Sequence, residues 1–152
     1  MNTRALNGDG SRRLSAPLWH YSFAGLGLAW NAFGLCQFAG SFRQTTESLM
    51  TQGVTGDQAA IYLSLPVWMS VAFAVGVIGG AIGSVFLVLR DRRALPVLAV
   101  SFAGYIGRFS GDVAYDVFDI IPSQFAVLIV VVLVAATLLG LALLAARKKI
   151  FA

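Results

Sequence analysis

Arg108 and the acidic and tyrosine residues near it are the side chains whose types and spacing could do chemistry in this sequence. A helix turns by about 100° per residue. If the angular position of Arg108 around the helix axis is set to zero, Asp112 falls at about +40° and Tyr115 at about −20°. On the same scale Asp116 falls at about +80° and Tyr105 at about +60°. The spacing therefore predicts one helical face that carries all five side chains.

This polar face has two interpretations. Arg108 and Asp112 stand four residues apart, so their side chains can form an ion pair on a helix. Ionisable groups inside a membrane are rare and usually face the bundle interior or a water-filled cavity. The face predicts either an outward-open polar pocket in which Arg108 binds an anion or a polar ligand, or a structural ion pair. In the second case Tyr105 and Tyr115 belong to an aromatic belt at the membrane interface.

Polar residues of the first apolar stretch are the expected partners of this face. Asn31 lies near the middle of that stretch, where an unpaired amide is costly. Gln37 should reach the same depth as Arg108 and Asp112, which predicts hydrogen bonds between the two helices. Polar side chains commonly hold membrane helices together, and this role is favoured for Asn31 over ligand contact.

Motifs of soluble enzymes are absent from the sequence: it has no P-loop, GxSxG, HExxH or GxGxxG after a strand. His20 and Cys36 are the only histidine and cysteine, which excludes an internal disulfide and a His/Cys metal cluster. We expect no cofactor and no metal. His20 lies beside two aromatic residues and is expected at the membrane interface. Among the candidate functions, an intramembrane enzyme is the least favoured, because the sequence shows no nucleophile–base pair.

The composition predicts a membrane protein. Of 152 residues, 58% are hydrophobic and 12% are charged, whereas soluble domains have about 45–50% and about 25%. The mean hydropathy is +0.79. A soluble domain of this size leaves roughly 30% of its extended-chain surface in water, so it could not hide this much apolar surface.

Four apolar stretches reach the length of about 20 residues that a spanning helix needs. They cover about residues 18–42, 60–89, 95–117 and 125–146. The sequence therefore predicts an all-α protein, a four-transmembrane-helix bundle that forms one membrane domain over 18–149. Pro66 predicts a kink or a short lead-in to the second span. Residues 1–17 lack periodicity and are expected to be a flexible cytoplasmic tail.

Basic residues indicate the orientation, because Lys and Arg near span ends mark the cytoplasmic side. Nine of the eleven fall on one side: Arg4, Arg12, Arg13, Arg90, Arg92, Arg93, Arg147, Lys148 and Lys149. Both termini are therefore predicted to be cytoplasmic. The net charge of +4 then reflects contact with anionic lipid headgroups, and no nucleic-acid partner is expected.

Small residues follow one face of the second stretch in two overlapping GxxxG patterns, which are typical of close helix packing. This helix-packing seam consists of Gly76, Gly79, Gly80, Gly83 and Ser84. Three glycines of the third stretch could form the facing surface: Gly104, Gly107 and Gly111. Packing within the chain is favoured, and dimerisation through the same seam is the alternative.

Three segments carry a resemblance to a known family: Trp-Asn-Ala-Phe-Gly at 30–34, Tyr-Leu-Ser-Leu-Pro-Val-Trp at 62–68 and Gly-Gly-Ala-Ile-Gly-Ser at 79–84. They resemble a family of small four-span bacterial inner-membrane proteins, mostly uncharacterised and often labelled hypothetical or "sugar transporter". Where that family has an Asp-Tyr pair, this chain has Gln37 and Phe38. The resemblance implies a location in the bacterial inner membrane.

Two functions follow from these observations. The leading one is a non-enzymatic membrane protein whose bundle binds lipid, a second copy or another membrane protein. The alternative is an oligomeric transporter of a small sugar-like or anionic solute, with a pocket formed by Arg108, Asp112, Asp116, Asn31 and Gln37. A polar cavity continuous with solvent favours transport, whereas a closed ion pair favours the first function.

Overall fold

The protein is all-helical over residues 18–151, the part of the chain that the computed structural model describes. Seven helices and no strand occur in that range, which confirms the predicted class. They are α1 (Leu18–Ser41), α2 (Thr46–Met50), α3 (Gly56–Leu63), α4 (Val67–Val88), α5 (Ala94–Ala114), α6 (Val117–Ile120) and α7 (Pro122–Arg147). The expected tail over residues 1–17 lies outside the described residues.

Four of these helices are long. They are α1, α4, α5 and α7, with 24, 22, 21 and 26 residues. Of the described helices, α4 and α7 are long and apolar enough to cross a membrane by length and composition. With the apolar composition, this finding indicates membrane association.

The second apolar stretch is divided at Pro66, because proline has no backbone N–H to extend the preceding helix. The short helix α3 begins at a capping box in which Thr55 and Gln58 satisfy each other's backbone N–H groups. It ends at Leu63, and α4 starts directly after Pro66. The predicted span over 60–89 is therefore a lead-in helix followed by one long helix.

The helix formed by the third apolar stretch ends earlier than expected. We expected a span over 95–117, but α5 ends at Ala114 and Asp116 adopts a left-handed backbone with φ of 53°. Aspartate tolerates this conformation better than most residues do, because its short polar side chain can form local hydrogen bonds. The helical projection from Arg108 does not hold beyond Ala114, so it does not place Tyr115 and Asp116.

Glycines line the contact between α4 and α5, which is the most extensive contact between two helices in the described structure. A methyl group at Gly104 would lie 2.7 Å from the carbonyl oxygen of Ala72 and from the amide nitrogen of Gly76. Gly76 faces the ring of Tyr105, and Gly83 faces Leu98. The seam of α4 therefore packs within the chain. On its other sides α4 packs against α1, and α7 packs against both α5 and α1.

One end of the helices, which we call the basic end, carries six exposed or half-buried basic residues: Arg90, Arg92, Arg93, Arg147, Lys148 and Lys149. Arg90 and Lys149 both have positive φ, of 61° and 53°, and each turns the chain after a helix. Nε of Arg90 donates to the carbonyl of Ile150 at 2.9 Å. Ile150 and Phe151 are buried in the apolar core at this end.

Candidate functional site

The ion pair between Arg108 and Asp112 is the centre of the polar face on α5. Nε of Arg108 donates to Oδ2 of Asp112 at 3.2 Å. Nη2 of Arg108 lies 3.0 Å from Oδ1, although at an angle that does not make a hydrogen bond. Asp112 is fully buried and Arg108 is 8% exposed. The pair is closed: each charge has its counter-charge within the same helix.

Gln124, in the first turn of α7, completes the arrangement. Its Nε2 donates to Oδ2 of Asp112 at 2.9 Å. We expected this partner to be Gln37 of α1, but Gln37 is exposed. The short connection between α5 and α7 places the start of α7 at the depth where α5 ends, and this signal could have identified Gln124. The cluster of Arg108, Asp112 and Gln124 is electrically neutral, so no charge remains to recruit an anion.

Tyr115 and Asp116, the other residues predicted near the pair, lie elsewhere. Both are exposed, because they follow the end of α5. Tyr105 is buried at the interface with α4, where its ring contacts Gly76 and stacks edge-on with Phe73 at 6.2 Å. The structure thus unites Arg108 with Asp112 and does not gather the wider pocket around them.

Three phenylalanines form an aromatic cluster at the same end of the helices. Phe109 of α5, Phe118 of α6 and Phe125 of α7 have ring centroids 5.1–6.3 Å apart. Aromatic pairs at such distances contribute beyond their buried area. The cluster fixes the turn between α5 and α7, and thereby helps to position Gln124 against Asp112.

A second group of polar residues lies near the middle of the long helices. Nδ2 of Asn31 donates to the carbonyl of Gly27 at 2.8 Å and to Oγ of Ser84 at 3.2 Å. Oγ of Ser101 donates to the carbonyl of Gly76. The bond to Ser84 links α1 to α4, and the bond to Gly76 links α5 to α4. Asn31, Ser84 and Ser101 are buried, so their geometry is that of interhelical hydrogen bonds rather than of an open site.

The cavity beside Asn31 is small. It has a volume of about 10 Å³ and is lined by Asn31, Gly80, Ser101 and Tyr105 together with apolar residues of α7. A single water needs roughly this much space. The cavity therefore excludes a sugar or an organic anion. The polar residues around this cavity therefore do not form a solute-sized passage at this point of the bundle.

Replacing Asn31 with alanine is expected to lower the free energy of unfolding by about 1 kcal/mol, the usual range for a hydrogen bond between membrane helices. The substitution removes the link to Ser84 and leaves that hydroxyl without its donor. Unfolding in detergent, followed by circular dichroism, measures the change. Gln37→Ala on the same helix is the control, since Gln37 is exposed. Equal effects of the two substitutions would contradict the structural role of Asn31.

His20, which we expect at the membrane interface, is buried within the protein near the basic end. Its Nε2 lies 3.0 Å from the carbonyl oxygen of Leu87, which is in the last turn of α4. Nζ of Lys148 lies 5.4 Å from the centre of the Trp19 ring, a distance typical of a cation–π contact. These contacts attach the start of α1 to the ends of α4 and α7.

Within residues 18–151, no three His, Cys, Asp or Glu side chains converge on a point that could hold a metal ion. Comparison with known proteins gave no matching family model, no similar curated protein and no similar solved structure. A function for the chain is therefore inferred from its own geometry.

Proposed function

We propose that this chain is a non-enzymatic integral protein of the bacterial inner membrane, with four spans formed by α1, α4, α5 and α7. It acts through its outer surface, by binding lipid or another membrane component. The closed cluster of Arg108, Asp112 and Gln124 carries this proposal. Because the charges of Arg108 and Asp112 neutralise each other and Gln124 donates to the same carboxylate, this cluster offers no net charge to a substrate.

The lengths of α1 and α5 support four spans. Their 24 and 21 residues correspond to about 36 Å and about 32 Å, against a hydrocarbon core of about 30 Å. Both helices are less apolar than α4 and α7. Their costly polar groups, among them Asn31, Arg108 and Asp112, are buried inside the protein. The surface that they present to lipid is therefore more apolar than their average composition.

The distribution of charge supports cytoplasmic termini. The basic end consists of the connection between α4 and α5 and of the end of α7. It carries six basic residues and one acidic residue, Asp91. Four other acidic residues lie toward the opposite end, in α2, α3 and the segment after α5: Glu47, Asp57, Asp116 and Asp119. This asymmetry follows the positive-inside rule.

Cysteine labelling tests the topology. With Cys36 changed to alanine, a cysteine replaces Gln52 between α2 and α3, or Arg92 at the basic end; both positions are exposed. We expect a membrane-impermeant maleimide to label Gln52→Cys in intact spheroplasts. It should label Arg92→Cys only after permeabilisation. The reverse pattern, or labelling of both in intact spheroplasts, would contradict the proposed orientation.

Flux measurements separate the proposed function from transport. Proteoliposomes that contain the wild-type protein are expected to take up sugars and organic anions no faster than protein-free liposomes. Their insertion is checked with the same labelling. Uptake of any solute above that background, reduced by Arg108→Lys, would instead favour an oligomeric transporter.

A further inference from the structure

The geometry points to a binding site for one anionic phospholipid on the outer face of α7, with an acyl chain in a groove and the headgroup phosphate on Arg147. This inference rests on the proposed function, because it requires α7 to face lipid with its end in the cytoplasmic leaflet. It names the membrane component that the outer surface binds.

The groove is a shallow, open depression of about 400 Å³ on the surface of α7 alone. Its lining consists of Thr137, Gly140, Leu141, Leu143, Leu144 and Arg147. Gly140 creates the notch, because no atom lies within 4 Å of the position that a Cβ would take there. The hydroxyl of Thr137 donates to the carbonyl of Leu133 at 2.8 Å. The groove therefore offers an apolar surface to an acyl chain, without an unsatisfied hydroxyl.

The length of the groove matches one leaflet. Thr137 and Arg147 are ten residues apart, which is about 15 Å along a helix. Half of a hydrocarbon core of about 30 Å is the same distance. An acyl chain whose phosphate meets Arg147 would therefore lie along the groove as far as Thr137, at the bilayer midplane.

Charge at the end of the groove selects an anionic headgroup. Arg147, Lys148 and Lys149 are exposed there, and the basic end adds Arg92 and Arg93. Asp91 is the acidic residue among them, and its Oδ1 accepts a hydrogen bond from the backbone of Arg93. Basic residues at the membrane surface attract anionic lipids. A zwitterionic lipid would gain the apolar contact but little of this attraction.

A second copy of the chain fits the groove less well. Two copies related by a twofold axis along the membrane normal would pair through the same surface on each. The two Arg147 side chains would then meet at the same end of the contact, where like charges repel. A phospholipid instead brings the opposite charge to that end.

Two pairs of variants of the full chain test the site. Arg147→Gln removes the charge at the groove, and Arg92→Gln removes an exposed charge elsewhere on the basic end. Gly140→Leu fills the notch, and Gly25→Leu places the same side chain at another open glycine, on α1. Delipidated protein is titrated with dioleoyl phosphatidylglycerol or dioleoyl phosphatidylcholine, and native mass spectrometry counts the bound lipids.

We expect the wild-type protein to bind the first phosphatidylglycerol more tightly than phosphatidylcholine. Arg147→Gln should lower the affinity for phosphatidylglycerol about fivefold, the effect expected of one basic residue near the membrane surface. Arg92→Gln should lower this affinity less. Gly140→Leu should weaken the binding of both lipids, because the added side chain occupies the notch and removes van der Waals contacts with the acyl chain. Gly25→Leu should weaken neither.

The proposed site would be overturned if the two arginine variants lost the same affinity for phosphatidylglycerol, or if Gly140→Leu bound lipid as the wild type does. A change of oligomeric state in Gly140→Leu without a change in lipid binding would assign the groove to a second copy and also overturn it. If labelling and flux behave as proposed while lipid selectivity is absent, this inference fails alone. If the labelling pattern fails, the proposed function fails with it.

Discussion

Asp112→Asn is expected to lower the free energy of unfolding by about 3–5 kcal/mol, the cost of breaking a buried ion pair by removing one partner. The side chain keeps its size but loses its charge, so Arg108 remains buried without a counter-charge. The hydrogen bond that Gln124 donates to this side chain at 2.9 Å also becomes weaker, because a neutral amide oxygen is a poorer acceptor than a carboxylate. The effect is large because Asp112 is fully buried and water cannot replace the missing charge.

Unfolding of the purified protein in mixed micelles, followed by circular dichroism, measures this loss. Asp119→Asn is the control, because Asp119 is exposed near the same end of the helices. The triple variant Arg108→Met, Asp112→Leu, Gln124→Leu should recover most of the stability, since a buried pair can often be replaced by apolar residues. Similar stabilities of Asp112→Asn and Asp119→Asn would show that the pair is not buried.

Gly104→Ala is expected to lower the free energy of unfolding by about 2–3 kcal/mol, near the upper end of the usual cost of overpacking. The added methyl group would lie 2.7 Å from backbone atoms of Ala72 and Gly76. Backbone atoms inside a helix cannot move aside as the end of a flexible side chain can. The substitution therefore has to separate α4 from α5, and the contacts along their interface weaken together.

Gly107→Ala is the matched control for this substitution. A methyl group there would lie 3.6 Å from the Cβ of Ala72, which is an ordinary van der Waals contact. Because alanine favours a helix over glycine by about 1 kcal/mol, we expect this variant to be as stable as the wild type or more stable. The same mixed-micelle unfolding compares the two. If Gly107→Ala lowered the free energy of unfolding as much as Gly104→Ala does, the packing described for α4 and α5 would be contradicted.

The helical class and the break at Pro66 could be predicted from the sequence, because long apolar stretches and a proline act locally. The end of α5 could not. It depends on the backbone of Asp116, and a left-handed residue leaves no trace in hydrophobic periodicity. Projection of one continuous helix therefore put Asp116 and Tyr115 beside Arg108, whereas the chain turns away at that point.

The depth of the side chains alone did not identify Gln124 as the partner of Asp112, although the short connection between α5 and α7 favours it. Gln37 and Gln124 are both glutamines near the expected depth, and hydropathy does not say which helix lies beside α5 at that end. The choice depends on tertiary packing, in which α7 approaches the end of α5. The pairing of Arg108 with Asp112 was predictable, since four residues on one helix fix their proximity.

The contact between Asn31 and Gly80 constrains how this chain can vary during evolution. A side chain at position 80 would overlap Oδ1 of Asn31, and it would also crowd Oγ of Ser101 at 3.2 Å. A larger residue at position 80 therefore requires either a smaller residue at position 31 or a rotation of Asn31 that disturbs its hydrogen bond to Ser84. We therefore expect substitutions at these two positions, 49 residues apart in the sequence, to occur together more often than separately.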